Sequence, residues 1–579
     1  MRTFFKNTVC ALLVATSSAS ALAQDNAPRA LSPRTLTPPE VSEKVPNVTP
    51  LEVKSFSGGI DVQQLGSVSN EALGVLSGSN AFPSDMWKGV NRGLVENLIA
   101  SLPAQPSSPY LRILQRRLLL TAAQPPKGKS GEKSLLALRV AKLAEMGQTD
   151  DVIALIKAAP QEERDNDLAI LETEALLTSQ KTTQACGNAA SNIQSSQDPF
   201  WIKTLAFCRM MAKQGDQAML SLSLLKEMGD TDPVYYSLMD ALQLGQRGKV
   251  DSLPAPKALD IALINASKAK LNEDIRNTND PLLLSYLTKA GDIQAVQKAV
   301  EYNLVSVDFL AQAFKATKFD ATDLDNAIAS AEKLEPFKAQ ALLYQVSSKE
   351  NQLPAIRAEA ISVALNLATK NDKLFSIARL YGPMIADMGR SIDMLWFAPQ
   401  ALRALLASGD WDTAKAWYLL LRNAAFTDQE AARDWTAVRP IAAFAGFDVS
   451  TEATSQSLNN WWAAQDETPQ SFTMATRLFS ISDGLGLEIP DKLWTTLIAG
   501  PKLNAGVTPQ SGIWIKMNKA AVAGRVGETV LMALHGLGRQ KTNQLNATFL
   551  RDSLFALRMV GLERDARALA VETALQAGL

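Results

Sequence analysis

Four times in this chain a Gly-Asp pair closes an apolar, Ala/Leu-rich segment: Gly215-Asp216, Gly229-Asp230, Gly291-Asp292 and Gly409-Asp410. Glycine takes the left-handed conformation that ends one helix, and aspartate can N-cap the next. Repeated along a chain, the pair predicts helices joined by tight turns and stacked as hairpins. The segments between carry the matching periodicity. Leu136, Val140 and Leu143 share one face, widened by Leu135 and Leu138. Ala218, Leu222 and Leu225 do the same, with Leu224 and Met228 beside them. Faces this broad fit helices covered on both sides, as in a stacked array. Two-residue alternation is almost lacking, and there is no Asn-Gly hairpin turn. The expected fold class is all-α: stacked helical hairpins forming an α-solenoid, behind a disordered Pro/Ser/Thr-rich N-terminal segment.

The punctuation carries a weak period. Gly215 to Gly291 spans 76 residues, Gly291 to Gly409 118, and Gly409 to Gly561 152. These are near two, three and four units of about 38–39, within the range of helical repeats. Gly147 and Gly229 stand off that register. Cap and stop signals predict a helix from Met86 towards Leu102, capped by Ser84-Asp85 and stopped by Pro103. They predict a second from Tyr110 to Ala123, ahead of Pro125-Pro126.

Residues 1–23 read as a signal peptide. Arg2 and Lys6 form the charged start, Cys10 to Ala15 the short apolar core, and Ala21-Leu22-Ala23 a small-x-small cleavage site. The apolar run falls well short of the ~20 residues that span a bilayer, and no later segment is expected to do so. Residues 24–82 read as flexible, because Pro28, Pro33, Pro38, Pro39, Pro46 and Pro50 interrupt regular structure. A helical lobe is expected over 83–250 and a second, Trp-rich one over 251–579, divided where Gly245, Gly248, Pro254 and Pro256 break the pattern. The expected location is the periplasm.

Without Arg2 and Lys6, the 58 basic residues become 56, against 59 acidic ones. No basic stripe with interleaved aromatics stands out, so nucleic acid is a poor candidate partner. The cysteines after the signal peptide are Cys186 and Cys208, which flank the helix break at Asp198-Pro199. In an oxidising compartment two such residues read as one disulfide across a hairpin.

The run Gly409-Asp410-Trp411-Asp412-Thr413-Ala414-Lys415-Ala416-Trp417-Tyr418 resembles the second helix of tetratricopeptide-like repeats, as does Gly215-Asp216-Gln217-Ala218. Gly524-Arg525-Val526-Gly527-Glu528, Val560-Gly561-Leu562-Glu563 and Ala566-Arg567-Ala568-Leu569-Ala570 are similar to a group of exported bacterial helical proteins, together with Tyr110 to Leu120 and the Cys186/Cys208 hairpin. That resemblance implies an α-solenoid. Its motifs are structural and carry no catalytic residue.

Chemistry is scarce. The chain has a single histidine, His535, at the end of an apolar helix where it can complement the C-terminus. Catalytic triads and zinc sites generally need more. Gly536-Leu537-Gly538 follows a helix, the wrong setting for a dinucleotide loop. Glu162, Glu163, Asp165 and Asp167 precede the helix holding Leu168, Ile170, Leu171 and Leu176, where acidic residues favour the helix dipole. No cofactor and no metal site is expected.

Eight of ten tryptophans fall between Trp396 and Trp514. They read either as a ring-stacking groove or as fillers between hairpins. Trp461, Trp462, Trp411 and Trp417 are the candidate binding surface, the adjacent pair Trp461-Trp462 above all. Adjacent helical positions point in different directions, so one of the two is hard to bury. The reading is a non-enzymatic periplasmic scaffold binding a cell-envelope protein. Its alternatives are a peptidoglycan- or glycan-binding module that regulates wall enzymes, and a glycan-cleaving enzyme using carboxylates alone.

Overall fold

The computed structural model describes residues 72–579. The expected signal peptide and most of the expected flexible segment lie outside the described residues. Within them the chain is all-α, with 29 α-helices, four short 3₁₀ turns and two two-residue strands. The strands pair in parallel, Lys249 opposite Lys270 and Val250 opposite Leu271.

Consecutive helices stack as hairpins, and many of the tight turns between them hold one residue at positive φ. Gly409 (φ +93°) ends the helix Ala398–Ser408, and Asp410 caps Trp411–Ala424 by accepting the Thr413 amide at 3.1 Å. Gly291 (φ +83°) and Asp292 repeat the arrangement ahead of Ile293–Glu301. At Gly229-Asp230 only the first half holds: Gly229 is left-handed, but the N-cap of Pro233–Gln243 is Asp232. Gly215 departs altogether. It is the first residue of the helix Gly215–Glu227, and the left-handed residue is Lys213 (φ +60°).

Once such non-glycine turns are counted, the spacing resolves into two periods. Gly147, Gln180, Lys213 and Gly245 are separated by 33, 33 and 32 residues. Asp372, Gly409, Gly446, Gly486, Gly524 and Gly561 are separated by 37, 37, 40, 38 and 37. The four units expected between Gly409 and Gly561 are therefore present. The two assigned between Gly215 and Gly291 are not, because Gly215 is not a turn, and between Gly291 and Gly409 only the last step, from Asp372, keeps the spacing.

Two helix boundaries shift. The helix expected from Met86 begins at Arg92, capped by Asn91, because Gly89 at φ +74° breaks the preceding turns. The helix expected from Tyr110 to Ala123 is Pro109–Leu120, capped by Ser108. The chain then turns extended, and Thr121 bridges to Leu76.

A disulfide joins Cys186 and Cys208, with Cα atoms 5.7 Å apart. It links the antiparallel helices Thr182–Asn192 and Pro199–Met211, and Asp198 caps the second by accepting the Phe200 amide. After the strand at residue 250, the helix Ala258–Ala266 packs back on Asn166–Thr178 and forward on Pro281–Lys289. One hydrophobic core runs from Phe82 to Leu579, with a satellite of Leu284, Leu287, Ala295 and Ala299.

The first helices of the described chain meet the last. Arg92–Ser101 packs on Val526–Leu537, and Pro109–Leu120 packs on both Val526–Leu537 and Glu563–Gln576. The Gly527 amide donates to the Met86 carbonyl at 2.9 Å, and the Ser107 amide to that of Gly538 at 3.0 Å. His535 belongs to this seam. Its Nε2 lies 2.9 Å from the Leu98 carbonyl, an acceptor, so the ring donates there. Burial lowers its pKa and favours the neutral form. The histidine therefore fastens the seam instead of complementing its own helix end.

Candidate functional site

Where the two ends meet, helices from distant parts of the chain leave a cleft. Pro109–Leu120 contributes Arg112. The end of Ile293–Glu301 contributes Glu301, Tyr302 and Asn303. Leu374–Ala386 contributes Arg379, with Lys373 at its N-cap, and Glu563–Gln576 contributes Glu572. Local chemistry sets these positions. Asn303 and Asp372 take the left-handed turn conformation, at φ +57° each, which asparagine and aspartate adopt more readily than other non-glycine residues. Pro383 lies inside its helix and lacks the N–H that would bond the carbonyl four residues back, at Arg379.

Three cavities converge here, of about 370, 470 and 520 Å³, and Arg379 lines all three. Its Nη2 donates to the Val300 carbonyl at 2.6 Å and its Nη1 to the Asn303 side chain. Arg112, 7% exposed, donates Nη1 to the Pro106 carbonyl and Nη2 to the Glu301 carbonyl, at 2.6 Å each. Its guanidinium lies 5.5 Å from the Tyr302 ring centre, and its Nε has no partner. Burial pulls both arginine pKa values down. Neither arginine forms an ion pair with a carboxylate among the described residues. Glu301 is taken by Lys373 at 2.7 Å, and Asp372 by Lys541 at 2.8 Å. Glu572 accepts the Tyr110 amide at 2.6 Å and the Gln576 side-chain amide at 3.1 Å. Its pKa is pushed up to about 7 by burial, against the opposing pull of the Ser108 hydroxyl, the Tyr110 amide and Arg112.

The structure does not bring the four candidate tryptophans together. Trp417 is fully buried, edge-on to Phe397 with ring centres 5.9 Å apart. Trp461 is 3% exposed. Both fill space between hairpins, so neither presents a ring face to a partner, and as binding-surface residues they are corrected to core. Trp462 is half-buried, edge-on to Phe472 at 5.1 Å, the outcome expected of an adjacent pair that cannot both point inward. Trp411 lines the cavity of about 470 Å³ with Asp410, Asp412 and Arg564.

The acidic cluster behaves as a helix start. Asp165 caps Asn166–Thr178 by accepting the Leu168 amide at 2.9 Å, and Asp167 sits in the first turn. The side chain of Glu162 lies outside the description. Among the described residues no three His, Cys, Asp or Glu side chains are grouped to hold a metal ion.

Sequence reasoning missed Arg112 and Arg379 because neither belongs to a motif. Arg112 meets a carbonyl 189 residues away. Pro383, inside the helix that carries Arg379, is a local irregularity near the site. No known protein family matches the chain, and neither does any curated protein or solved structure.

Proposed function

We propose that this chain is an exported, non-enzymatic interaction scaffold that binds a protein partner in the cell envelope. One surface carries the reading. The helix Gly215–Glu227 buries Ala218, Ser221, Leu222 and Leu225 against its neighbours. Its other side sets Leu220 (73% exposed), Leu224 and Met228 in solvent at four-residue spacing. Side chains four apart share a helix face, so the three form one aliphatic row. Exposed leucine costs a folded chain solubility, and a contiguous row is the kind of surface a partner covers. The row lies on the helix that follows the disulfide-linked pair. A disulfide is at home in an oxidising compartment such as the periplasm. No helix among the described residues is long and apolar enough to cross a membrane. The spacings of 33, 33 and 32 residues from Gly147 to Gly245 lie in the range of helical-repeat families.

A photo-crosslinker placed at Leu220 in the native envelope tests the proposal. The expected result is one reproducible heterologous protein product that disappears in a Leu224→Lys, Met228→Lys variant of unchanged helicity. No product, or one insensitive to those substitutions, overturns it. A product of twice the chain's mass assigns the face to a second copy.

Trp411 favours a second reading, a glycan-binding module. It lines a cavity with Asp410, Asp412, Arg379 and Arg564, an aromatic beside hydrogen-bonding groups. Sedimentation with purified sacculi separates the two. Binding lost on Trp411→Ala supports the glycan module, and release of soluble fragments would support a carboxylate-only enzyme.

A further inference from the structure

We infer that the central cleft is a binding site for a small oxyanion ligand, a molecule bearing a carboxylate or phosphate, with Arg112 and Arg379 as the ligand-binding residues. The cavity of about 370 Å³ carries four cationic side chains, Arg112, Lys373, Arg379 and Lys541, and two carboxylates, Glu301 and Asp372. The two lysines pair with those carboxylates at 2.7 and 2.8 Å. The two arginines are left without an ion pair, and burial, with the Arg379 charge adding to it, holds the Arg112 pKa down against the pull of Glu572 and Glu301.

What holds the arginines is neutral. Backbone carbonyls of Pro106, Glu301 and Val300 and the side chain of Asn303 fix their orientation without cancelling their charge. Glu572 approaches Arg112 from the last helix, but its oxygens accept the Tyr110 and Gln576 amides and it forms no ion pair. A guanidinium has five N–H donors in a planar fork. The bonds above use two on each arginine, and Arg112 Nε is enclosed with no acceptor. An enclosed charged donor without a partner is costly, and two guanidinium groups with spare N–H donors are complementary to a carboxylate or phosphate. The volume suits a small molecule rather than a protein segment.

The ligand would touch three segments at once: the second described helix, the turn after Glu301 and the helix containing Arg379. Binding therefore holds the meeting of the chain's two ends together and raises the melting temperature by mass action. The cleft shares no residue with the Leu220 face, so this site stands or falls independently of the scaffold reading.

Isothermal titration of the intact chain at low ionic strength, with inorganic phosphate in one arm and succinate in the other, tests the site and distinguishes the two sources. Saturable one-to-one binding of at least one anion is expected, weakened roughly tenfold in Arg379→Gln, about 1.4 kcal/mol. Both anions failing to bind overturns the inference, as does undiminished binding in Arg379→Gln. Should that variant misfold, Lys541→Gln replaces it. Lys541 is half-exposed and lines the same cavity, so its loss must weaken binding measurably in a protein of unchanged circular dichroism. Unchanged affinity there also overturns the inference.

Discussion

Asp565 accepts both Nη atoms of Arg117, each at 2.9 Å, across 448 residues of sequence. The Tyr110 hydroxyl donates to the same carboxylate. Arg117 also lies over the Phe82 ring, 4.0 Å from its centre. This bidentate arrangement, with Asp565 buried and Arg117 half-buried, ties the second described helix to the last one. Arg117→Ala leaves Asp565 buried with the Tyr110 hydroxyl as its remaining donor. Leaving a buried acceptor short of its partner costs about 1–3 kcal/mol, and a loss of that order is expected in urea unfolding. A loss below about 0.5 kcal/mol, the range of an ordinary surface substitution, would show that the seam does not depend on the pair.

A second prediction concerns the same seam. A Cβ added at Gly527 would lie 2.5 Å from two atoms of the Trp87 ring and 2.9 Å from the Met86 carbonyl. Trp87 is buried and has little room to retreat. Gly527→Ala is expected to destabilise by about 1–3 kcal/mol through overpacking, although alanine is the better helix former. Hydrogen exchange should localise the effect to residues 82–101 and 526–537. Faster exchange confined to 526–537 would contradict the contact.

Reduction reports on a different part of the chain. The Cys186–Cys208 bridge closes a sequence separation of 22 residues, worth about 3 kcal/mol in the chain-entropy view. Reductant should lower the melting temperature and speed amide exchange in 182–211 first. The double variant Cys186→Ala, Cys208→Ala should match the reduced protein and be indifferent to reductant. Two titratable thiols in the unreduced native protein would defeat the bridge.

The pH profile follows from Glu572. Burial raises its pKa from 4.5 to about 7 in the folded chain. The folded state therefore holds a proton that the unfolded state releases between those values. The corresponding stability is fully present below about pH 4.5 and lost as pH rises through about 7. Glu174, also raised to about 7 by burial, acts in the same direction. Glu572→Gln keeps an acceptor for the Tyr110 amide and removes the charge. The variant should exceed the wild type at pH 8 by on the order of 1–2 kcal/mol, and the gain should vanish by pH 5. A gain constant across that range would show that packing, not ionisation, is responsible.

Much of the helical framework was legible in residues that act locally. Gly409-Asp410 and Gly291-Asp292 end one helix and cap the next because both jobs are settled within about one turn of chain. Gly215 misled for a related reason: a glycine permits the left-handed conformation without requiring it, and Lys213 takes the turn instead. The period was blurred because Gln180, Lys213 and Asp372 occupy turns where glycine was the signal sought. The tryptophans show the limit from the other side. Trp417 and Trp411 stand six residues apart on one helix, yet one is core and the other lines a cavity. Sequence gives their relative direction, and only the neighbouring hairpins decide which direction is inside.

The sequence by itself determined what short-range forces decide: helices, the turns at Gly291 and Gly409, and a cysteine pair facing across one hairpin. Tertiary structure alone decided that the first helices meet the last, and that Arg112 and Arg379 are left without carboxylate partners where they do. Those relations join residues hundreds of positions apart through ion pairs and packing. No local periodicity or propensity encodes which distant carbonyl or carboxylate a given arginine will meet.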